Sequence, residues 1–172
     1  LHDLEVFDAE EAPVHGGSVV VYATHRGRRR VSHRVGELAR REIAEGYDRF
    51  TTYERFSQEV AALRDRIVSA VRRPLATGQR VYCYGAPAKG TVLLNYCGLT
   101  SKEIPFAVER NPLKVGRFIP GTGIEIIDEA VADEPDYYLL LAWNFLSEFL
   151  QSPAVTSGRR RFIVPLPEPC VL

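Results

Sequence analysis

The sequence predicts a doubly wound α/β fold, and three observations carry that prediction. Beyond Gly78, short apolar β runs alternate with segments of helical spacing, as parallel crossovers require. One run, Tyr137 to Ala142, is uninterrupted and apolar, the pattern of a strand buried on both faces. With 172 residues, 45% hydrophobic and 26% charged, the chain can bury a real core.

The elements follow in order. Leu4 to Ala9 alternates loosely and Val19 to Tyr22 is rich in β-branched residues, with Pro13 and Gly16–Gly17 breaking the chain between them. Together they predict a β-hairpin. Gly27 to His33 is basic and reads as a loop. Val35 to Gly46 and Thr51 to Arg73 have helical spacing, the second with Phe56, Val60, Leu63, Ile67, Val68 and Val71 on one face. Thr51 or Thr52 can cap its start, and Pro74 with Gly78 ends it. Val81–Tyr84, Ile104–Val108, Ile124–Ile127, Tyr137–Ala142 and Phe162–Val164 read as strands. Thr91–Cys97, a brief Asp128–Ala132 and Phe145–Leu150 read as helices between them. The sum is a Rossmann-like, mainly parallel sheet with flanking helices over residues 35–172. An N-terminal β segment and linker over residues 1–34 and a long helix precede the sheet.

The formal net charge is zero, which argues against a general nucleic-acid or acidic-membrane binder. No apolar stretch reaches the roughly 18 residues of a membrane span. Leu1 to Phe7 carries acids and no basic region, so no signal peptide is expected. Three cysteines without a C-x-x-C pair suggest neither a disulfide framework nor a zinc site, and a reducing, cytoplasmic setting fits. The chain begins at Leu1 and contains no Met, so it reads as a fragment or an excised domain.

Ligands of open α/β sheets bind beyond the carboxyl ends of the strands. Two segments fall there. Gly85-Ala86-Pro87-Ala88-Lys89-Gly90 joins a strand to a helix, where backbone N–H groups attract anions and Lys89 adds a charge. It is neither a Walker A loop nor a G-x-G-x-x-G fingerprint. The local pattern leaves open an anion site or a plain turn with an exposed lysine. In Glu109-Arg110-Asn111-Pro112-Leu113-Lys114-Val115-Gly116-Arg117, Glu109 stands where a dinucleotide fold holds a ribose hydroxyl, but Arg110, Lys114 and Arg117 crowd it. Arginine forks and a lysine point charge suit phosphate oxygens; a solvated basic loop is the other reading. A third segment, His15-Gly16-Gly17-Ser18, holds a histidine that can hydrogen-bond a substrate or simply face solvent. Trp143-Asn144, at the end of the best buried strand, suits either ligand contact or packing. The remaining histidines lack metal-ligand spacing.

With those segments in view, the sequence resembles the C-terminal domain of the S-adenosylmethionine-dependent C-methyltransferases of nucleotide-linked 4-keto-deoxysugars. The resemblance rests on His15-Gly-Gly-Ser18, Tyr84-Gly-Ala-Pro-Ala-Lys-Gly90 with Leu93-Leu-Asn-Tyr-Cys-Gly98, Glu109-Arg-Asn-Pro-Leu-Lys114 with Gly116-Arg117 and Pro120-Gly-Thr122, and Trp143-Asn144, in that order. Thr91-Val92 departs from an Asn-Thr expected in relatives, and Gly123 from a His. The resemblance implies a three-part enzyme of deoxysugar and antibiotic biosynthesis: a zinc-binding segment, a domain holding S-adenosylmethionine, and this domain. Zinc and the methyl donor would belong to the parts absent here, and this chain would bind no cofactor and catalyse nothing alone. Its partners would be a nucleotide-diphosphate sugar and the enzyme's own methyltransferase domain, with no nucleic acid and no membrane. Lys89, Arg110, Lys114 and Arg117 would take the diphosphate at one mouth of the sheet. His15, Ser18, Asn95 and Asn144 would contact the sugar or other polar groups. Two other classes stay open on the residues: a nicotinamide-dinucleotide-binding oxidoreductase domain, and a non-catalytic packing or dimerisation module.

Overall fold

A computed structural model describes residues 2–14, 17–151 and 160–172. Contacts divide the chain into two compact units, Leu1–Gln58 and Glu59–Leu172.

In the first unit, β1 (Leu4–Ala12) and β2 (Ser18–His25) form an antiparallel pair, with an irregularity between Val6 and Asp8. Helix α1 (His33–Ala44) starts at Ser32, whose Oγ accepts from Arg34 N at 3.3 Å and meets one of the unpaired N–H groups of the first turn. The helix lies against β1. Arg34 pairs with Asp8, and Arg41 pairs with Glu11 at 2.6 Å, so basic residues of the helix neutralise acids of the strand. Helix α2 (Phe50–Leu75) begins here and continues into the second unit. Its start corrects the expected cap: Thr51 and Thr52 lie inside the first turn, and Thr52 Oγ1 donates to Gly46 O at 2.7 Å instead. Pro74 also stays within the helix. Its carbonyl accepts from Thr77 N and Gln79 N, which closes the terminal turn.

The second unit is built on a six-stranded sheet of β3 (Val81–Tyr84), β4 (Phe106–Glu109), β5 (Glu125–Asp128), β6 (Tyr137–Leu140), β7 (Phe162–Val164) and β8 (Cys170–Val171). The order is β5-β4-β3-β6-β7-β8, parallel throughout except for β8. This is the Rossmann strand order with an antiparallel last strand. Helix α3 (Ala88–Cys97) links β3 to β4, and the short α4 (Leu146–Phe149) follows β6.

Three expectations are corrected in this unit. Residues 129–131 form a turn, not a brief helix: Ala130 N donates to Asp128 Oδ1 and Val131 N to Asp128 O, so the Asp side chain caps a tight turn. The apolar run after Tyr137 leaves the sheet at Leu140, and a 3-10 turn over Trp143–Phe145 precedes the single turn of α4. The two-residue β8 was not anticipated; it pairs with β7 through Ile163↔Val171 and Val164↔Cys170.

Both faces of the sheet are covered. Val81 and Cys83 of β3 point to one side, where Leu94 of α3, Ile67 and Val71 of α2, and Leu139, Leu141 and Ile163 close the core. Tyr82 and Tyr84 point to the other, into a cluster with Tyr138, Phe149 and Phe162. There the Tyr138 and Phe162 rings stack at 5.5 Å, and Tyr84 meets Tyr138 edge-on at 5.5 Å. Cys83 is fully buried, and burial raises its thiol pKa, which makes it an inert packing residue.

Candidate functional site

Strand order reverses between β3 and β6, so the crevice at their carboxyl ends is the topological switch point of the sheet. A cavity of about 320 Å³ lies there, lined among others by Gly85, Ala86 and Pro87 after β3, Glu109 at the end of β4 with Arg110 and Lys114 after it, Glu129 after β5, and Ala142 after β6. Two glycines shape it. Gly85 takes a φ of +78°, which lets the chain turn sharply while its N–H bonds Val108 O at 2.9 Å. Gly90 brings α3 close to Leu141: a Cβ at Gly90 would lie 2.9 Å from Leu141 Cδ1. Pro87 occupies the cap of α3 and offers no side-chain acceptor, and no side chain among the described residues bonds the first N–H groups of the helix.

Two carboxylates organise the charges. Glu109 Oε2 accepts from Lys114 Nζ at 3.0 Å and Ala86 N at 3.3 Å, while Oε1 accepts from Arg110 N at 2.9 Å and Asn111 N at 3.3 Å. Burial pushes its pKa up, and Lys114 with the three backbone N–H groups pulls it further down, to a net value below the ordinary carboxylate. Glu129 Oε2 accepts from Arg110 Nε at 2.7 Å; Oε1 accepts from Arg160 Nη1 at 2.8 Å and Tyr84 OH at 3.0 Å. Its pKa is also lowered, burial being outweighed by Arg110, Arg160 and Tyr84. Burial and the bond to Glu129 raise the Tyr84 phenol, which therefore stays a donor. Arg160 continues the chain of pairs to Glu134 at 2.8 Å.

Of the eight residues singled out in the sequence, Arg110 and Lys114 line this cavity. Lys89 sits in the first turn of α3 with its Nζ 4.6 Å from the centre of the Trp143 ring and 5.9 Å from that of Phe145. It has no ion-pair partner among the described residues, and burial lowers its pKa. Arg117 is exposed on the turn after Lys114 and does not line the cavity. Thus two of the four expected cations share the pocket wall, and a third stands at the start of the helix beside it. Asn144 adjoins Trp143; its Oδ1 is buried and has no hydrogen-bond partner among the described residues. Asn95 is committed elsewhere: its Nδ2 donates to Thr91 O at 2.8 Å and Pro120 O at 3.0 Å, pinning the turn at Gly121 to α3. Ser18 opens β2 in the first unit and donates to Val14 O at 2.9 Å. His15 lies outside the described residues.

Sequence reasoning missed Tyr84, Glu129, Phe149 and Arg160. Glu129 directly follows the last residue of β5, so the carboxyl-end rule pointed to it, but the segment reads as a small helix. Tyr84 looked like strand filler, although it ends β3 immediately before the glycine turn.

This arrangement can hold an anion at contact range without stranding a buried charge. If Arg110 turns to a ligand, Glu129 keeps Arg160 and Tyr84; if Lys114 turns, Glu109 keeps three backbone N–H groups. Both Glu109 oxygens are taken in the structure, so a ribose hydroxyl of a dinucleotide would have to displace Lys114 or a backbone N–H to reach that carboxylate. Among the described residues, no group of three or more His, Cys, Asp or Glu is placed to hold a metal ion, and no helix is long and apolar enough to cross a membrane.

Comparison with known proteins agrees with this frame. The sequence model of the C-methyltransferase C-terminal domain family matches residues 13–167. The protein named C-methyltransferase NovU from Streptomyces niveus is 40% identical over 175 residues, a stretch covering 99% of this chain and 42% of that relative. The chain therefore spans less than half the length of the relative it matches.

Proposed function

Because this chain belongs to the C-methyltransferase C-terminal domain family, we propose that it holds the diphosphate end of a nucleotide-linked 4-keto-deoxysugar within a larger methyltransferase. The observation that carries the reading is the pocket at the switch point, where Arg110 and Lys114 meet an uncapped helix start that bears Lys89. In this reading Arg110 and Lys114 exchange their carboxylates for phosphate oxygens, Lys89 adds a charge with no competing acid, and Arg117 approaches from the neighbouring turn. Asn144 Oδ1, a buried acceptor without a donor, takes a hydroxyl of the ligand. Asn95 is assigned to a polar contact near the sugar and would have to share or release its present acceptors.

The chemistry follows from the ketone, which acidifies its neighbouring C–H so that a base can form an enolate. This chain's part is to fix the sugar nucleotide, and the base lies in the rest of the enzyme. S-Adenosylmethionine supplies the methyl group when bound, and in this reading the remainder of the enzyme holds it, since the relative matched here continues for more than half its length beyond the shared stretch. No described residues here fit zinc.

The test is a Lys89→Ala, Arg110→Ala double variant of the full-length enzyme, titrated with substrate or thymidine diphosphate at low salt. Two lost charged contacts of about 1.5–3 kcal/mol each predict a weakening of at least about a hundredfold. Unchanged affinity would overturn the site.

A further inference from the structure

A two-stranded sheet is marginal on its own, and its exposed edge normally carries charge, proline or a bulge to prevent further pairing. The hairpin of the first unit divides these properties unequally. β1 carries Glu5, Asp8, Glu10 and Glu11, and its Phe7 carbonyl already accepts Ser32 N at 2.8 Å. β2 reads Ser18-Val-Val-Val-Tyr-Ala-Thr-His25, without Lys, Arg, Asp, Glu, Pro or Gly. Beyond its ladder with β1, the backbone of β2 makes one bond to another described segment, at its very end, where His25 O accepts from Arg28 N at 3.1 Å; from Val19 to Thr24 the described residues offer it none. Its two faces are also alike. Val19 and Val21 on one face and Val20 and Tyr22 on the other are all 38–54% exposed. An edge strand facing water alternates apolar with polar residues; a run apolar on both faces belongs inside a sheet.

We propose that β2 is an interior strand of a larger sheet, whose missing neighbour is a strand from the remainder of the same methyltransferase polypeptide. This rests on the reading that the chain is one part of that longer enzyme. Two facts favour that occupant over a second copy of the chain. The matched relative continues for more than half its length outside the stretch shared with this chain. The family match begins at residue 13, between the two strands, so β1 precedes the C-terminal domain proper and the hairpin straddles its border. The pairing would be strand addition: main-chain hydrogen bonds along β2, with side chains of the partner domain covering both faces. The hairpin then anchors the sugar-nucleotide domain to the domain that holds the methyl donor.

Hydrogen exchange in the full-length enzyme and in the 172-residue chain tests this. Amides of β2 that alternate with those bonded to β1 should exchange at least about a hundredfold more slowly in the full-length enzyme. Equal rates overturn the proposal. A Val19→Lys, Val21→Lys double variant gives an independent reading. It should leave the melting temperature of the 172-residue chain nearly unchanged, because both side chains are exposed there, and lower that of the full-length enzyme. No shift in the full-length enzyme, or a concentration-dependent dimer of the 172-residue chain that the variant abolishes, overturns the proposal; the dimer identifies a second copy as the occupant. Thymidine diphosphate titrated into the same samples separates the two readings. Equal exchange rates with affinity retained sink only the strand addition, and slowed exchange without affinity sinks only the sugar-nucleotide site.

Discussion

Arg110 Nε lies 2.7 Å from Glu129 Oε2, yet the two side chains are buried to opposite degrees: 78% of Arg110 is exposed and 13% of Glu129. The pair joins a mobile type of group to a fixed one. An exposed guanidinium gains little from an ion pair in high dielectric, whereas a carboxylate taken out of water depends on its donors.

Arg110→Ala should therefore cost less than about 1 kcal/mol of stability. Glu129→Ala should cost about 1–3 kcal/mol, because Arg160 and Tyr84 OH lose a common acceptor. Urea midpoints at pH 7 compare the two. Ligand affinity should rank them in reverse, with Arg110→Ala the weaker binder.

Tyr84→Phe isolates the phenol. The ring contacts with Tyr138, Phe149 and Phe162 persist, and only the bonds to Glu129 and Arg110 vanish. A loss of about 1 kcal/mol is expected. A loss near that of a large-to-small core change, about 3–5 kcal/mol, would mean that the ring and not the hydroxyl had moved.

Acid should destabilise the second unit in a defined direction. Glu109 and Glu129 have folded-state pKa values below the ordinary carboxylate value of about 4.3. Their contribution is complete above that value and disappears as pH falls through the lowered ones. Urea midpoints from pH 7 down to pH 3 should show the decline, and Glu129→Gln should shallow it. An unchanged acid limb in that variant would contradict the assignment.

Gly90→Ala sets helix propensity against space. Alanine gains up to about 1 kcal/mol within a helix. Its Cβ would also stand 3.0 Å from Leu141 Cβ, an atom fixed to the backbone beyond β6, so α3 must shift. Overpacking typically costs about 1–3 kcal/mol, so a net loss is expected in chemical denaturation.

The sequence disclosed elements whose signal is local. β3 was legible because Val81–Tyr84 ends at a glycine, and β6 because its run has no polar break. β8 was not, since two residues carry no periodicity and pairing with β7 alone defines them. The turn after Asp128 mimicked a helix through its alanines and valine, while the Asp128 side chain was hydrogen-bonding the backbone. The site divides in the same way. Arg110 and Lys114 share one segment with Glu109 and announced themselves together. Tyr84, Glu129 and Arg160 come from three distant segments, and only the placement of β4 between β3 and β5 brings the first two near Arg110.

Finally, the charged side chains lining the pocket, two acids and two bases, cancel. Their summed field fades within a few ångströms, which leaves Lys89, without an ion-pair partner among the described residues, as the net charge that an approaching polyanion meets. Steering then rests on one cation, so the association rate should fall only modestly as ionic strength rises.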